Sequence, residues 1–437
     1  MEEDIQQSHI SSYKTTDRIE KRLKAAIDLA SEDLDRESAH DQEVLRALSV
    51  VNSFIARKKR VCYGGTAMNA ILPVSKRFYN PDVDLPDYDF YTPDVDEDIK
   101  DLMSDLAKAG FKDIYHKVGI HDGTKKVLVN FVAIADISYI NPELFTILYR
   151  RSILRDGIHY TDPDILRMMM YLELSRPRGM VSRWEKVFER LQLLNQAFPI
   201  QAGCKKGITR RESHPIIIPI EIRKRIIDYA IHNKRILCND SLVDLYRIGI
   251  RHKNAKYRIR YGGPLLFTSP NPKNDCLALK ELFANDNIRI FKHPERGELV
   301  PLRVELRLGD TPMCMFIKET ACHSYNSIPL PDRRTIYVAS PEFLITLYLS
   351  INIFTNRSVD YLGDRILCQV RDLIDLSKEN YAAKKSQFPA FSLKCQGHQT
   401  SFPSLLRAKV KRSKKSETRK KGKSKSKTLK KKVSSSE

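Results

Sequence analysis

Two neighbouring stretches decide the fold of this sequence: Tyr63-Gly-Gly-Thr-Ala-Met-Asn-Ala-Ile-Leu-Pro73 and Asp87-Tyr-Asp-Phe-Tyr-Thr92. In the first, the glycine turn (Gly64, Gly65 and Thr66) precedes an apolar run that predicts a short helix. Glycines let the backbone approach a polyphosphate, and a helix N-terminus favours negative charge. The Thr66 hydroxyl can donate a further hydrogen bond to a phosphate oxygen. The glycine turn is therefore a candidate phosphate site, although a Gly-Gly pair alone usually marks only a turn.

Acidic pairs with the spacing i, i+2 surround the second stretch. They are Asp82/Asp84, Asp87/Asp89 and Asp94/Asp96. Side chains two residues apart on a strand point to the same face, so such a pair can hold a divalent cation. Pro86 and Pro93 bracket the central pair in a segment rich in strand formers, whereas the outer pairs are predicted in a loop and at a helix start. Asp-x-Asp alone is also typical of a solvated strand end.

A third aspartate, Asp136, lies inside the apolar run Val127–Ile140. The segments 111–121 and 125–132 predict a hairpin whose second strand runs on through Asp136 to Ile140. A buried carboxylate needs a cation, hydrogen-bond donors or a raised pKa, unless it lies at a strand end. With the central acidic pair and the glycine turn, Asp136 completes the parts of a two-metal phosphoryl-transfer site.

This combination resembles the signature of the DNA polymerase beta-like nucleotidyltransferase superfamily. More narrowly, the sequence resembles the poly(A) polymerase catalytic subunits of large cytoplasmic DNA viruses, namely poxviruses, asfarviruses and mimivirus-like viruses. The motifs that carry this resemblance are the two stretches quoted above, Ala135-Asp-Ile-Ser-Tyr139, Glu173-Leu-Ser-Arg-Pro177 and Ser182-Arg-Trp-Glu-Lys-Val187. The resemblance covers residues 40–195 well and residues 215–380 only in general character.

The resemblance implies an α+β fold and template-independent addition of AMP from ATP to the 3′ end of mRNA. Two Mg²⁺ or Mn²⁺ ions would be bound by Asp87 and Asp89, and Asp136 would bind the ion facing the 3′-hydroxyl. The glycine turn would hold the triphosphate. Arg183 and Lys186, three residues apart on a predicted helix, are weaker phosphate candidates, because an ordinary basic helix surface has the same spacing.

The resemblance also implies partners and a location. The RNA 3′ end is the expected substrate, and either a homodimer or a separate processivity subunit is left open. The expected location is the viral factory in the host cytoplasm, with packaging in the virion left open. Phe343–Phe354, the longest apolar-rich stretch, is too short to cross a bilayer, and the polar N-terminus is unlike a secretory signal.

A weak internal repeat organises the chain. Tyr160-Thr-Asp-Pro163 resembles the segment that ends at Pro341, and Phe90-Tyr-Thr92 resembles Leu266-Phe-Thr268. We therefore predict an N-terminal helical segment (1–60), a nucleotidyltransferase catalytic domain (61–200), a degenerate nucleotidyltransferase-like domain (215–385) and a basic tail (405–437). The second copy offers no acids at the corresponding positions, which predicts one active site per chain.

Charge and cysteine content set further expectations. The chain has 437 residues and a formal net charge of +21, and residues 407–437 hold fifteen Lys or Arg against two Glu. Such a run predicts a disordered tail that attracts a polyanion such as nucleic acid, or that serves in solubility or nuclear targeting. The eight scattered cysteines form no Cys-x-x-Cys pair, which predicts free thiols in a reducing compartment.

Other functions stay open on the sequence alone. The chain could be a terminal nucleotidyltransferase that uses another nucleoside triphosphate, because no base-selecting residue is recognisable. It could also be an RNA-binding or virion structural protein that retains the fold without activity. The presence of all three carboxylates in the first copy argues against the inactive protein.

Overall fold

The computed structural model describes residues 2–119, 123–204, 216, 218–252, 263–297, 299–355, 366–399 and 407. Its contacts divide the chain into two compact units. The first comprises Met1–Gly119, Gly123–Tyr139 and Ile153–Tyr160, and the second comprises the rest. The predicted tail, apart from Arg407, and most of the segment 201–214 between the two predicted domains lie outside the described residues.

The first unit is built on one mixed sheet. Its helices are α1 (Glu2–Ala39), α2 (Gln42–Lys58), α3 (Gly64–Ile71) and α4 (Val95–Lys108). Its strands are β1 (Val61–Tyr63), β2 (Tyr88–Thr92), β3 (Ile114–Val118), β4 (Thr124–Val129), β5 (Val132–Tyr139), β6 (Ile153–Arg155) and β7 (Ile158–Tyr160). The strand order is β3-β4-β5-β2-β1-β7-β6. Only the β2·β5 and β1·β7 pairs among these are parallel.

Capping and burial explain the helices beside this sheet. Asp41 caps α2 by accepting from the backbone of Glu43 and Val44, and Asp94 caps α4 by accepting from the backbone of Glu97. Each helix buries one apolar face in the core of the unit. The buried members include Phe54 and Ile55 of α2, and Leu102 and Leu106 of α4.

The second unit contains a second mixed sheet. Its helices are α5 (Pro142–Arg151), α6 (Pro163–Leu174), α7 (Trp184–Ala197), α8 (Ile220–His232), α9 (Leu242–Arg251), α10 (Pro272–Phe283), α11 (Pro341–Phe354) and α12 (Ile366–Ala382). Its strands are β8 (Ile236–Leu237), β9 (Leu265–Ser269), β10 (Ile288–His293), β11 (Arg303–Leu308), β12 (Thr311–Lys318), β13 (His323–Pro329), β14 (Thr335–Ala339) and β15 (Cys395–Gln396). The strand order is β10-β11-β12-β9-β8-β14-β13-β15.

This order repeats that of the first sheet, with β15 added at one edge. The directions repeat as well, since β9·β12 and β8·β14 are parallel like β2·β5 and β1·β7. The predicted duplication is therefore present in the topology. Helices α6 and α11 occupy corresponding places and pack together, with Thr346 Oγ1 3.5 Å from the carbonyl oxygen of Met168.

The strand register shifts the predicted alignment of the two copies by one residue. Cys62 pairs with Phe90 in the first sheet, and Leu237 pairs with Phe267 in the second, so Phe267 rather than Leu266 corresponds to Phe90. Leu266 then corresponds to Asp89. A shift of one residue changes the face to which a side chain points, so register rather than letter matching fixes the correspondence.

Two local predictions are wrong. The strand predicted to run from β4 through Asp136 turns back at Asn130 and Phe131, so β4 and β5 form a second hairpin. The prediction of free thiols fails for four cysteines, because Cys204–Cys368 and Cys322–Cys395 are disulfides. Partners separated by 164 and 73 residues leave no spacing signal in the sequence. No helix in the described part of the chain is both long and apolar enough to cross a membrane.

A buried ion pair joins the start of β1 to α4. Asp98 is fully buried, and Arg60 contacts its two carboxylate oxygens at 2.6 and 2.8 Å. We expect Asp98→Ala to lower the free energy of unfolding by roughly 3–5 kcal/mol, because the guanidinium would stay partly buried without its partner. Thermal denaturation of the full chain measures this. The control Asp101→Ala removes an exposed partner of Lys58 and should change little.

Candidate active site

A row of paired residues crosses the first sheet at its centre. Tyr63 of β1 pairs with Asp89 of β2, Asp89 pairs with Asp136 of β5, and Asp136 pairs with Lys126 of β4. Directly paired residues on adjacent strands point to the same face, and adjacent strands are about 4.8 Å apart. The register therefore places the side chains of Asp89 and Asp136 next to each other on one face.

Asp87 lies immediately before β2, two residues ahead of Asp89. Its side chain is exposed, while the intervening Tyr88 is buried. In an extended segment this alternation puts Asp87 on the same face as Asp89. The carbonyl oxygen of Asp87 accepts hydrogen bonds from Thr66 Oγ1 at 2.8 Å and from the backbone N–H of Asp89 at 3.1 Å. These contacts fix the segment that carries the first carboxylate.

The glycine turn lies against this pair of aspartates. Gly64 has φ +75°, a left-handed conformation that side-chain-bearing residues rarely adopt, and a Cβ atom there would collide with Asp89 Oδ2. Helix α3 begins at Gly64 without a side-chain cap. Its first-turn N–H groups thus have no intrahelical acceptor and suit an anion. The Thr66 hydroxyl, in contrast, already donates to Asp87.

Lys126 is a site residue that sequence reasoning missed. Its Nζ lies 2.8 Å from Asp136 Oδ1, and the two side chains are 24% and 19% exposed. Burial lowers the pKa of Lys126, but the contact with Asp136 and the charges of Asp87 and Asp89 together raise it above its usual value. All three carboxylates therefore act on this ammonium. The hairpin turn at Asn130 and Phe131 alone would pair Lys126 with Ala135, and a register shift between Val127 and Leu128 sets Lys126 opposite Asp136 instead.

Aromatic and hydroxyl side chains support the same face. The rings of Tyr63 and Tyr91 stack with centroids 4.0 Å apart. The Tyr63 hydroxyl lies 2.8 Å from Ser138 Oγ, which lies 2.6 Å from Thr124 Oγ1. Burial, followed by the nearby Tyr91 and Asp89, raises the pKa of Tyr63 well above its usual value. These contacts link β1, β2, β4 and β5 beside the aspartates.

The donor set fits Mg²⁺ or Mn²⁺ in its chemistry. Hard divalent ions prefer carboxylate oxygens. Asp136 Oδ1 is buried and accepts no well-directed hydrogen bond, so its contact with Lys126 is mainly an attraction between charges. Among the described residues no three His, Cys, Asp or Glu side chains are gathered as a ready metal cluster. The ammonium of Lys126 lies against Asp136 and balances its negative charge, as a divalent ion bound to Asp136 would do.

The two outer acidic pairs have local structural partners. Asp82 is exposed in a turn, and Asp84 Oδ2 accepts from the backbone N–H of Asn80 at 2.8 Å. Asp94 caps α4, and Asp96 pairs with Lys125 on the opposite face of β4 from Lys126. The prediction that the central pair belongs to a strand segment, and the outer pairs to a loop and a helix start, therefore agrees with the structure.

Arg183 and Lys186 lie in the second unit. Arg183 ends a short 3₁₀ turn, Val181–Arg183, and its Nε lies 3.4 Å from Glu173 Oε1. Burial raises the pKa of Glu173, and the charges of Arg183 and Arg176 oppose that rise. Lys186 is exposed on α7. The assignment of both residues to a nucleotide stays a prediction.

Comparisons with known proteins agree with this fold. Residues 49–180 match the family described as poly(A) polymerase catalytic subunit. A proposed poly(A) polymerase catalytic subunit of African swine fever virus (strain Badajoz 1971) is 30% identical over 192 residues, which cover 43% of this chain and 40% of the relative. A counterpart from Acanthamoeba polyphaga mimivirus is 32% identical over 162 residues, covering 36% of this chain and 27% of the relative. The matches thus span less than half of these relatives.

A solved structure extends the comparison beyond the matched segment. The Megavirus polyadenylate synthase superposes with a TM-score of 0.72, covering 92% of this chain and 83% of its own, at 18% identity. The predicted α+β class, with a second copy of the first sheet's topology, is therefore confirmed. Within that class, the resemblance to the poly(A) polymerase catalytic subunits of large DNA viruses is confirmed through residues 49–180.

The charge of Lys126 gives a test that is independent of catalysis. We expect Lys126→Gln to bind Mn²⁺ about tenfold more tightly, because ~1.4 kcal/mol of competing attraction is a factor of ten in affinity. Without metal the variant should melt below the wild type. Titration calorimetry and thermal melting in EDTA measure these effects.

The matched control is Lys125→Gln, which removes the neighbouring charge on the opposite face of β4. It should leave Mn²⁺ affinity unchanged. Equal Mn²⁺ binding by the wild type and Lys126→Gln would show that the ammonium and the ion do not compete for Asp136.

Proposed function

We propose that this protein is a template-independent polynucleotide adenylyltransferase, which adds AMP from ATP to the 3′ end of mRNA. The observation that carries the proposal is the parallel pairing of Asp89 with Asp136, with Asp87 two residues away and the glycine turn against Asp89. The match of residues 49–180 to poly(A) polymerase catalytic subunits supports the same reaction.

In a two-metal phosphoryl transfer the three carboxylates would have different roles. Asp87 and Asp89 would hold both ions, and Asp136 would hold the ion nearer the 3′-hydroxyl. When bound, such ions acidify the attacking hydroxyl and stabilise charge on the triphosphate and the departing pyrophosphate. No side-chain nucleophile is required. The carboxylates would therefore act by positioning the ions and by their negative charge.

The glycine turn would receive the triphosphate. The absence of a side chain at Gly64 keeps Asp89 Oδ2 and the backbone close together, and the uncapped start of α3 offers N–H donors. Thr66 would act by holding Asp87 in place, since its hydroxyl donates to the carbonyl of that residue. Arg183 and Lys186 are proposed as further phosphate contacts.

The second unit would contribute binding without chemistry. At the positions of Asp89 and Asp136 it carries Leu266 and Met315, which pair in the same way and are buried. Apolar side chains cannot ligate Mg²⁺, so one reaction centre per chain is expected. The RNA 3′ end is the proposed partner of the protein. The name "catalytic subunit" of the relatives also favours a separate stimulatory subunit.

Primer extension separates this proposal from its alternatives. Full chain, generic RNA and Mg²⁺ or Mn²⁺ would be incubated with each nucleoside triphosphate in turn. Extension with ATP alone supports an adenylyltransferase. Equal use of all four nucleotides indicates a terminal nucleotidyltransferase of another specificity. RNA binding without extension indicates an RNA-binding or virion structural protein that retains the fold.

Single substitutions test the site itself. We expect Asp87→Ala and Asp89→Ala each to lower extension at least ~10²-fold, because each removes charge stabilisation from the transition state. Asp136→Asn should have the same effect. RNA affinity, measured by fluorescence anisotropy, should survive in all three variants.

The control for this series is Asp82→Ala, which removes an exposed turn carboxylate from a neighbouring pair. It should keep substantial activity. Loss of activity in Asp82→Ala equal to that in Asp87→Ala would mean that the wrong pair had been assigned to the metals.

The basic tail gives a separate prediction about RNA. Deleting residues 407–437 removes fifteen Lys or Arg. We expect weaker RNA binding and a flatter dependence of affinity on salt, since each phosphate contact to a single strand contributes roughly −0.7 to the slope of log K against log salt. The rate on saturating primer should change little. An unchanged slope would contradict the role of the tail.

A further inference from the structure

The sulfur atoms of the cysteines fall into two groups. Four cysteines are buried thiols, namely Cys62, Cys238, Cys276 and Cys314. Burial raises the pKa of each of these thiols, because apolar surroundings disfavour the charged thiolate. They are therefore poor nucleophiles in the folded chain. The other four cysteines form two disulfides, Cys204–Cys368 and Cys322–Cys395, whose surroundings differ.

The disulfide Cys204–Cys368 has a cation beside one of its sulfur atoms. Nη2 of Arg371 lies 3.3 Å from Cys204 Sγ, and Nη1 of the same side chain donates to the carbonyl oxygen of Cys204 at 2.7 Å. Arg371 and Cys368 are three residues apart on α12, so they lie on one face of that helix. Both cysteines are partly exposed. A thiolate formed at Cys204 would therefore be stabilised by an adjacent positive charge.

Neighbouring charges hold Arg371 in this position. Its Nη2 also contacts Asp372 Oδ1 at 3.2 Å, and Arg247 of α9 contacts Asp372 Oδ2 at 3.0 Å. Arg247 has a second partner, Asp244, which is 41% exposed and whose charge is therefore screened by water. Since Asp372 is shared between two guanidinium groups, it does not cancel the charge of Arg371, and part of that charge acts on Cys204.

The disulfide Cys322–Cys395 lies in different surroundings. It joins β13 to β15 at the edge of the second sheet. Cys322 is 1% exposed, and within the described ranges no side-chain donor contacts either sulfur atom of this pair. Burial without a cation disfavours thiolates, so this bond should resist exchange. It serves as a reference within the same chain.

We propose that Cys204–Cys368 is a site of thiol–disulfide exchange that takes a low-molecular-weight thiol as its co-reactant. The thiolate of the incoming molecule attacks Cys368 Sγ and forms a mixed disulfide. The bond between the two protein sulfur atoms breaks, and its electron pair leaves on Cys204 Sγ beside Arg371. A stabilised thiolate is the faster leaving group, which assigns this role to Cys204.

A second thiol molecule completes the exchange. Its thiolate attacks the small-molecule sulfur of the mixed disulfide on Cys368. A small-molecule disulfide forms, and Cys368 leaves as a thiolate that takes up a proton. Two small thiols are thereby oxidised, and one protein disulfide is reduced to two thiols.

Exchange would replace a covalent link by an ionic one. Cys204 follows α7, and Cys368 lies on α12, so the disulfide joins segments separated by 164 residues. Reduction removes this bond, whereas the hydrogen bond from Arg371 to the carbonyl oxygen of Cys204 does not depend on it. The Cys204 thiolate would then pair with the same guanidinium. The cross-link between these segments would thus follow the thiol balance of the surroundings while the ionic contact persists.

Redox titration of the full chain tests the proposal. The native protein is equilibrated with rising ratios of reduced to oxidised glutathione, thiols are blocked with N-ethylmaleimide, and the cysteine peptides are measured by mass spectrometry. Cys204–Cys368 should open at a ratio at least ~10-fold lower than Cys322–Cys395, and trapped glutathione should lie on Cys368. Resistance of both bonds, opening of Cys322–Cys395 first or at the same ratio, or glutathione trapped on Cys204 would overturn the proposal.

Substitution of Arg371 tests the source of the effect. Arg371→Gln should need a ratio about tenfold higher to open Cys204–Cys368, because a neutral amide does not stabilise the Cys204 thiolate. Arg371→Lys keeps the charge and should shift the ratio less. The matched control is Arg251→Gln, which removes an arginine that binds Glu379 of α12 at 2.8 Å, and it should titrate like the wild type. An Arg371→Gln variant that also titrates like the wild type would contradict the role of the guanidinium.

Alkylation of the reduced wild type gives a readout that requires no variant to fold. The rate at which iodoacetamide modifies Cys204 follows its thiolate fraction. This rate should reach half its maximum below pH ~8.5, the ordinary midpoint of a thiol, because the guanidinium favours the thiolate. The buried Cys62 in the same sample is the control and should react slowly. A midpoint for Cys204 at or above that of an ordinary thiol would overturn the assignment. None of these readouts depends on nucleotide transfer, so failure of the proposed function would leave the test intact.

Discussion

The parallel pairing of β2 with β5 is the constraint on which the rest of the site depends. It sets Asp89 beside Asp136, and the antiparallel neighbours of these strands then place Tyr63 and Lys126 at the two ends of the same row. The glycine turn follows directly from β1, so its backbone arrives where Asp89 Oδ2 already lies. The register of β2 and β5 therefore fixes the aspartates beside the proposed phosphate site, and the shifted register of β4 on β5 adds the cation beside them.

The second unit shows that this topology does not require the carboxylates. Leu266 and Met315 pair as Asp89 and Asp136 do. The counterpart of Gly64 is Asn239, whose side chain accepts from the backbone N–H of Leu266 and donates to the carbonyl oxygen of Pro264, each at 2.8 Å. A buried amide thus fills the space that a glycine keeps open in the first unit. The second sheet forms with the same topology in the absence of these residues, so the topology does not depend on them.

Sequence reasoning predicted the local structure of the candidate site wherever the signals are local. Proline brackets and strand propensity selected Asp87 and Asp89, and capping preference placed Asp94 at a helix start. It missed Lys126 because the turn at Asn130 and Phe131 contains no glycine, although both residues have positive φ, and because the pairing with Asp136 also needs the register shift between Val127 and Leu128. It also missed both disulfides, whose partners meet only through the tertiary fold. The local sequence pattern gives little indication of contacts that depend on strand register or on segments far apart in the chain.

The most direct measurement is anomalous diffraction from crystals grown with Mn²⁺ and a non-hydrolysable ATP analogue. The account predicts two anomalous peaks within roughly 2.2 Å of carboxylate oxygens of Asp87 and Asp89, one of them also within that distance of Asp136. The triphosphate should lie at the start of α3. Peaks remote from these aspartates, or a triphosphate bound away from the glycine turn, would contradict it.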